Sequence, residues 1–346
     1  MSENSPSVAR DASRSPYYVG VDLGGTSVKV GVVDDLGCPL SHLSIPTESA
    51  AGPEAAVERM GRAVRDAIVD AGLTGADISR VGLGSPGTMD IPAGKLIAPV
   101  NLKGWDGFPI RERLAHHCGL DVSFANDGAA AAYGEFWVGS GRLFHSMVLL
   151  TLGTGIGGGI IIGDLSIDGE NSHGAECGHI IINDADDARM CNCGRRGHLE
   201  AYASATAVIR RTRETLEAGR ASSLSARLDA GAKLTPKLVA KEAAVGDALS
   251  LEIVDQTARY LGVGITTLMH TIDPGCVLLG GAMTFGGKDS ELGRRFLAEI
   301  KAEVGRRAFP LLAERITLDF ASLGPDAGFI GAAGIARLEH RRKASG

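Results

Sequence analysis

No stretch of the 346-residue chain stays apolar over the roughly 20 residues that a membrane-spanning helix needs. The opening residues, "MSENSPSVARDASRSP", lack the apolar core of a secretory signal, so the cytoplasm is the expected compartment. An excess of positive charge is lacking too. The formal net charge is −6, which argues against nucleic acid as a main partner, because affinity for phosphate backbones comes from Lys and Arg. Cysteine is sparse, with six residues at positions 38, 118, 177, 191, 193 and 276. In a reducing compartment a cluster among them points to metal before disulfide. Coiled-coil heptads, an acidic tail and a long linker are missing as well.

Glycine is what the chain has in quantity. Its 48 glycines gather in short runs beside apolar segments, a placement that suits backbone lying close to a ligand. The length is comfortable for two domains, and 44% hydrophobic with 22% charged residues is ordinary for a soluble globular enzyme. "YYVGVDLGGTSVKVGVVDDLG" reads as a strand, a Gly-Gly-Thr turn and a second strand. Val57, Met60, Val64 and Ile68 recur at helical spacing over 53–72. "VGLGSPGTMD" reads as a strand ending in a glycine-proline turn, and "DVSFAND" as a strand ending at Asn126 and Asp127. Later come a helix, a turn at Asp273-Pro274-Gly275, a strand and a Gly280-Gly281 turn. A final helix rich in small residues is expected to pack closely. This alternation predicts an α/β architecture.

The chain also repeats itself. "GVDLGGTSVKVGVVD" (20–34) set against "LLTLGTGIGGGIIIG" (149–163) aligns Leu23 with Leu152 and Gly24 with Gly153, an offset of 129. Two related halves facing one another across a cleft are the expectation. Short Gly/Thr turns expose successive backbone N–H groups and admit a phosphate with no Cβ in the way. Thr26, Thr151 and Thr154 add hydroxyl donors, and Asp22 offers an oxygen ligand for magnesium or its water shell. Neither turn fits the G-x-x-x-x-G-K-[ST] loop, and a strand follows "GTGIGGG" where a dinucleotide fingerprint would open a helix.

Two constellations carry further chemistry. Asn126-Asp127, where a strand ends and a small-residue helix begins, reads from the residues alone as a helix N-cap. Cys191, Cys193 and His198 supply three of the four ligands of tetrahedral zinc, with His179, Cys177 or His173 as the fourth. A disulfide between residues two apart would be strained, and C-x-C is not a redox C-x-x-C motif.

Asp22-Leu23-Gly24-Gly25-Thr26, the turn within 151–159 and Gly280-Gly281-Ala282 resemble the nucleotide site of the actin-like, sugar-kinase and heat-shock-protein superfamily. Glu176-Cys-Gly178-His179 and Cys191-Asn-Cys193-Gly194-Arg-Arg-Gly197-His198-Leu-Glu200 narrow the resemblance to the ROK family (repressors, open reading frames and sugar kinases), and within it to bacterial glucokinases. It runs from about residue 17 to the C-terminal helix. It implies an actin-like (ribonuclease H-like) fold with two α/β domains around a central cleft. Gly24, Gly25, Thr26, Gly153, Thr154 and Gly155 would hold the donor phosphates, and Gly280 and Gly281 would lie near the adenosine. Asp127 becomes the catalytic base and Asn126 helps fix the sugar.

The same resemblance assigns Glu176, His179 and Glu200 to the sugar hydroxyls. "GSPG" adds Gly84 and "NLKGW" adds Asn101, while Trp105 is expected in the core. Zinc would be held by His179, Cys191, Cys193 and His198. His198 stands where the family usually has a third cysteine, so two thiolates formally balance Zn²⁺ and no negative charge is left over. A closed four-ligand site is structural, ordering the segments that bear Glu176 and Glu200. Cys38, Cys118 and Cys276 are expected to be ordinary small residues, and Arg195 and Arg196 a solvated turn.

The expected organisation is a flexible tail over 1–16, an N-terminal α/β domain over 17–125 on which a helix at 326–342 packs back, and a C-terminal α/β domain over 126–325 that carries the zinc motif. The expected activity is ATP-dependent phosphorylation of a hexose, foremost glucose, with Mg²⁺ as companion of ATP, a structural Zn²⁺ and a homodimeric assembly. Fructose, mannose, N-acetylglucosamine and N-acetylmannosamine are alternative acceptors, polyphosphate an alternative donor, and a sugar-responsive regulator an alternative role. The glycine motif begins near residue 20, so a regulator's winged helix-turn-helix is not expected ahead of it.

Overall fold

A computed structural model describes residues 10–97, 99, 102 and 104–345. In chain order the strands are β1 (Tyr17–Leu23), β2 (Ser27–Val33), β3 (Pro39–Pro46), β4 (Ile78–Ser85), β5 (Thr88–Asp90), β6 (Lys95–Ile97), β7 (Val122–Asn126), β8 (Ser146–Leu152), β9 (Ile156–Ile162), β10 (Leu165–Ser166), β11 (Cys276–Gly280) and β12 (Thr317–Phe320). The helices are α1 (Pro53–Asp70), α2 (Ile110–Cys118), α3 (Asp127–Trp137), α4 (Glu200–Ala203), α5 (Ala205–Glu217), α6 (Ser223–Asp229), α7 (Pro236–Ala244), α8 (Ala248–Ile272), α9 (Glu291–Arg307), α10 (Pro310–Arg315) and α11 (Ala327–Ser345). Among the described residues, no helix is long and apolar enough to cross a membrane.

The repeat seen in the sequence is a repeat of topology. One sheet has the order β3-β2-β1-β4-β7 and the other β10-β9-β8-β11-β12. In the first, β1–β2 and β2–β3 are antiparallel while β4 lies parallel to both β1 and β7. In the second, β9 and β10 are antiparallel, and β11 lies parallel to both β8 and β12. The start of β8 follows that of β1, and the start of β9 that of β2, by the same 129 residues as the motif alignment. Each sheet therefore couples an antiparallel ribbon to parallel strands, and β1, β4, β8 and β11 are buried almost along their length, as strands covered on both faces must be.

The chain divides into two compact units, one of Met1–Leu143, Gly159–Ala175 and Ser322–Gly346, the other of Phe144–Gly158 and Glu176–Ala321. In the first, α1 turns Val57, Met60, Val64 and Ile68 inward against β2 and β3, and Trp105 is buried in the same core. The opposite face of the sheet receives α11, which also packs on α3. This helix lies so close that a Cβ at Gly20 would come within 1.7 Å of the Phe329 carbonyl oxygen, and one at Gly82 within 1.8 Å of that of Ala332. Arg337 and Arg341 then pin α11 through the buried Asp35, each at 2.8 Å. The fully buried Glu135 of α3 accepts from Ser140 N (2.9 Å), Leu323 N (2.7 Å) and Ser322 Oγ (3.1 Å), so the turn leading into α11 is anchored too.

These contacts divide the chain differently from a boundary at 125/126. Helix α3 grows directly from β7 and packs on α11, so it stays with the first unit. Residues 10–16, expected in the tail, are tied down: Arg10 donates to Gly72 O (2.7 Å), Arg14 N to Asp34 Oδ2 (3.0 Å), and Asp35 N to Arg14 O (2.8 Å). Residues 1–9 of that tail lie outside the described residues. In the second unit the long α8 forms a buried spine contacted by α4, α5, α7 and α9.

Because backbone oxygens cannot retreat without moving the whole helix, Gly82→Ala is expected to destabilise the protein by about 1–3 kcal/mol or more. Urea denaturation should show a lower midpoint with an unchanged slope.

Candidate active site and metal centre

Parallel strands deliver their functional groups at their carboxyl ends, where α/β sheets bind ligands. In the first unit Asp22 lies near the end of β1, level with Gly84 in β4, while Ser85 pairs with Asn126 at the end of β7. Asn126 caps α3: its Oδ1 accepts from Gly128 N at 2.8 Å and Ala129 N at 3.4 Å. With the oxygen so used, the amide NH₂ is the end left to address a hydroxyl. Asp127, the first residue of α3, accepts from Gly128 N at 2.8 Å through Oδ1. Thus the capping reading holds for Asn126, and the helix N-terminus begins with the carboxylate of Asp127.

Asp22 and Asp127 sense one another. Burial pushes the Asp22 carboxyl up to about 6, the Asp127 carboxylate adds to this, and Lys29, its cross-strand partner, opposes it. Beside them the turn at Gly24, Gly25 and Thr26 is closed by Gly24 N on Ser27 O (2.9 Å) and held to residue 47 by Thr47 Oγ1 on Gly24 O (2.7 Å) and Thr47 N on Thr26 O (2.9 Å).

The matching turn in the second unit is held from its carbonyl side. Gly153 O accepts from Ala205 N at 2.9 Å and Thr154 O from Thr206 Oγ1 at 2.8 Å. In a trans peptide the N–H points opposite to the C=O. The N–H groups of Thr154 and Gly155 are therefore aimed away from α5, together, as an anion site requires. Glu200, at the start of α4, accepts from Ile156 N at 3.0 Å. Gly280 ends β11 and Gly281 follows it, and Ala282, Met283 and Phe285 after them line a pocket of about 520 Å³ with Pro236, Lys237, Ala240, Lys241 and Ala244 of α7. The sequence offered no sign of this α7 wall, which lacks any glycine motif.

His179, Cys191, Cys193 and His198 do converge, with ligand atoms all within 4.8 Å of one another. His179 Nδ1 is 3.2 Å from His198 Nδ1, Cys193 Sγ is 3.3 Å from His198 Nδ1, and Cys191 Sγ is 3.9 Å from His179 Nδ1. A tetrahedron with metal–ligand lengths of about 2.0–2.3 Å has corners roughly 3.3–3.8 Å apart, so the set fits zinc. Of the alternatives for the fourth ligand, Cys177 is buried elsewhere and His173 turns to Asn171 O. Both histidines present Nδ1 to the cluster. That leaves His179 Nε2 facing the Glu176 carboxylate at 3.9 Å, an outer partner of the kind that orients a ligand.

The cluster hangs on a knuckle in which Gly194 N donates to Cys191 O (3.0 Å) and Cys191 N to Arg195 O (2.8 Å). Burial pushes the Cys191 thiol up to about 12, and burial with the neighbouring His179 lowers His198. The imidazole is thereby kept in its neutral, metal-binding form, while the thiol must surrender a proton to the metal.

Other expectations find their places. Asn101 lies outside the described residues, whereas Trp105 is wholly buried. Cys276 is buried, Cys38 and Cys118 are half-buried, and Arg195 and Arg196 are exposed. Glu200, expected at the sugar, directs one carboxylate oxygen to Ile156 N and places the other 3.5 Å from Cys191 Sγ.

Residues 18–339 match the model of the ROK family. A glucokinase of Halalkalibacterium halodurans is 33% identical over 330 residues, covering 95% of this chain and 98% of the relative. Among solved structures, a ROK hexokinase from Thermus thermophilus superposes with a TM-score of 0.80 at 32% identity, over 94% of this chain and 99% of that one. A ROK-family glucokinase from Streptomyces griseus, solved in complex with glucose and AMPPNP, gives 0.74 at 31%, over 93% and 99%.

Elemental analysis of protein purified without chelator is expected to find about one zinc per chain, and Cys193→Ser to lose it together with thermal stability. For Asp22 the folded value of about 6 lies above the ordinary 3.8, so the native state holds this proton more tightly. Its stabilising effect is present at low pH and is lost as pH rises through about 6. In magnesium-free buffer, Asp22→Asn should therefore raise Tm by roughly 1–3 °C at pH 7.5 and leave it unchanged near pH 4, as paired thermal melts would read.

Proposed function

The chain belongs to the ROK family, as a sugar kinase that phosphorylates its substrate with ATP, and from that premise we propose that glucose is its main acceptor, giving glucose 6-phosphate, on an actin-like (ribonuclease H-like) fold. The reading rests above all on the coupling of Asp22 and Asp127 beside a glycine turn. One carboxylate is needed at the cation that accompanies ATP, and another at the hydroxyl that attacks.

Asp127 serves as general base. A sugar hydroxyl is a poor nucleophile until a carboxylate takes its proton as the new phosphorus–oxygen bond forms. Held as the first residue of α3, Asp127 has its backbone fixed, and its Oδ1 is oriented by Gly128 N. Asn126 presents its amide to the same sugar, while Glu176 and His179 address further hydroxyls from a segment that the metal centre orders.

The turns at Gly24-Gly25-Thr26 and Gly153-Thr154-Gly155 cradle the donor phosphates with backbone N–H groups. The largely apolar pocket beyond Gly280-Gly281 takes the adenine. That pocket favours ATP over polyphosphate, which has no base to fill it. Asp22 would hold the magnesium that accompanies ATP, which would supply neutralising charge for the transferring phosphoryl group. The zinc ligand set is closed, so its contribution is order and not Lewis acidity.

ADP release measured across a panel of hexoses, with ATP and with polyphosphate, tests this reading. Glucose with ATP should give the highest kcat/KM, and ADP formation independent of sugar would overturn it. Asp127→Asn should fold normally, bind hexose within about 2-fold of the wild type and lose roughly 10²–10⁴-fold in kcat. An active variant would remove Asp127 from its role.

A further inference from the structure

We infer that Glu200 is a positioning residue for the phosphate turn, transmitting the order of the metal centre to residues 153–156. This deepens the kinase reading and rests on it only for the identity of the ligand held by the turn.

Glu200 follows His198 by two residues, and its own backbone is clamped. Leu199, fully buried, donates to Ile180 O at 2.9 Å, and Ala201 N donates to His198 O at 2.9 Å. From this base the side chain spans two sites. Oε1 lies 3.5 Å from Cys191 Sγ in the metal cluster, and Oε2 accepts from Ile156 N at 3.0 Å, where the turn becomes β9. The turn is built around that carboxylate. A Cβ on Gly155 would lie 2.2 Å from Glu200 Oε2. Because Gly155 is not among the glycines of positive φ, the position needs glycine for space and not for conformation.

The three tethers act together. Residues 205 and 206 hold the carbonyls of Gly153 and Thr154, and Glu200 holds the N–H of Ile156. Two N–H groups between them are thus left aimed in one direction. Preorganised donors of this kind cost no rearrangement when charge arrives.

Hydrogen–deuterium exchange of the zinc-loaded protein reads the Ile156 amide directly. Glu200→Ala should speed its exchange by about 10-fold, as expected for loss of a hydrogen bond to a charged acceptor, and chelating the metal should act in the same direction. Glu200→Gln keeps an acceptor oxygen and should restore protection. Gly155→Ala should lower Tm in the wild type and much less in Glu200→Ala, since the clash is then gone. In kinetics, Glu200→Ala should raise the KM for ATP by about 10-fold. Unchanged amide protection in Glu200→Ala, additive Tm effects, or a rise confined to hexose KM would each overturn the inference. The exchange and melting arms need no turnover, so an inactive protein would refute the kinase reading and leave this one to stand or fall by itself.

Discussion

Strand polarity governs the chemistry of this molecule. Each sheet pairs an antiparallel ribbon with parallel strands, so every strand that matters ends on the same edge of its own sheet. Asp22, Gly84 and Asn126 are gathered by register alone, since β1, β4 and β7 run together and stop together. Nothing about these side chains would bring them near one another otherwise. The same rule in the second sheet sets the Gly153–Gly155 turn beside Gly280, which pairs with Thr151. A duplicated topology thus yields two similar edges, one bearing the carboxylates of Asp22 and Asp127 and the other the turn whose Ile156 N–H is held by Glu200.

The His179, Cys191, Cys193 and His198 cluster is a second candidate source of order. The segment from 173 to 199 has little regular structure of its own, only a 3-10 turn and isolated bridges. Such a stretch cannot hold a carboxylate still by backbone hydrogen bonding alone. Four candidate ligand atoms converge here within 4.8 Å of one another, and the binding energy of a structural zinc would be ample to order a segment of this size. Glu176 and Glu200 flank the four residues on either side in the chain, where a bound zinc would steady both.

Much of this was legible in the sequence because it is local. Gly-Gly-Thr between valine-rich runs specifies a hairpin, and the 129-residue offset exposed the repeat before any coordinates. The spacing of Cys191, Cys193 and His198 named three ligands, since a metal site demands particular atoms. Other features left no trace. Nothing in 236–244 distinguishes the wall of an apolar pocket from any amphipathic helix, and an alanine-rich face reads as ordinary core. The hydrogen bond from Ile156 N to Glu200 joins residues 44 apart, and a backbone donor has no sequence signature. The division of the chain was equally hidden, because the attachment of α3 to the first unit depends on a helix two hundred residues further on.

That distant helix has a consequence for how the protein comes into being. The face of the first sheet carrying Gly20 and Gly82 is shaped to receive α11, and the ion pair from Arg337 to Asp35 closes a separation of 302 residues. During synthesis the first sheet must emerge and wait, one face bare, until α11, which begins about two hundred residues beyond β7, has left the ribosome. Such long-range closure folds slowly and exposes apolar surface meanwhile. Nascent chains stalled before residue 327 should thus depend on chaperones in a way that finished ones do not.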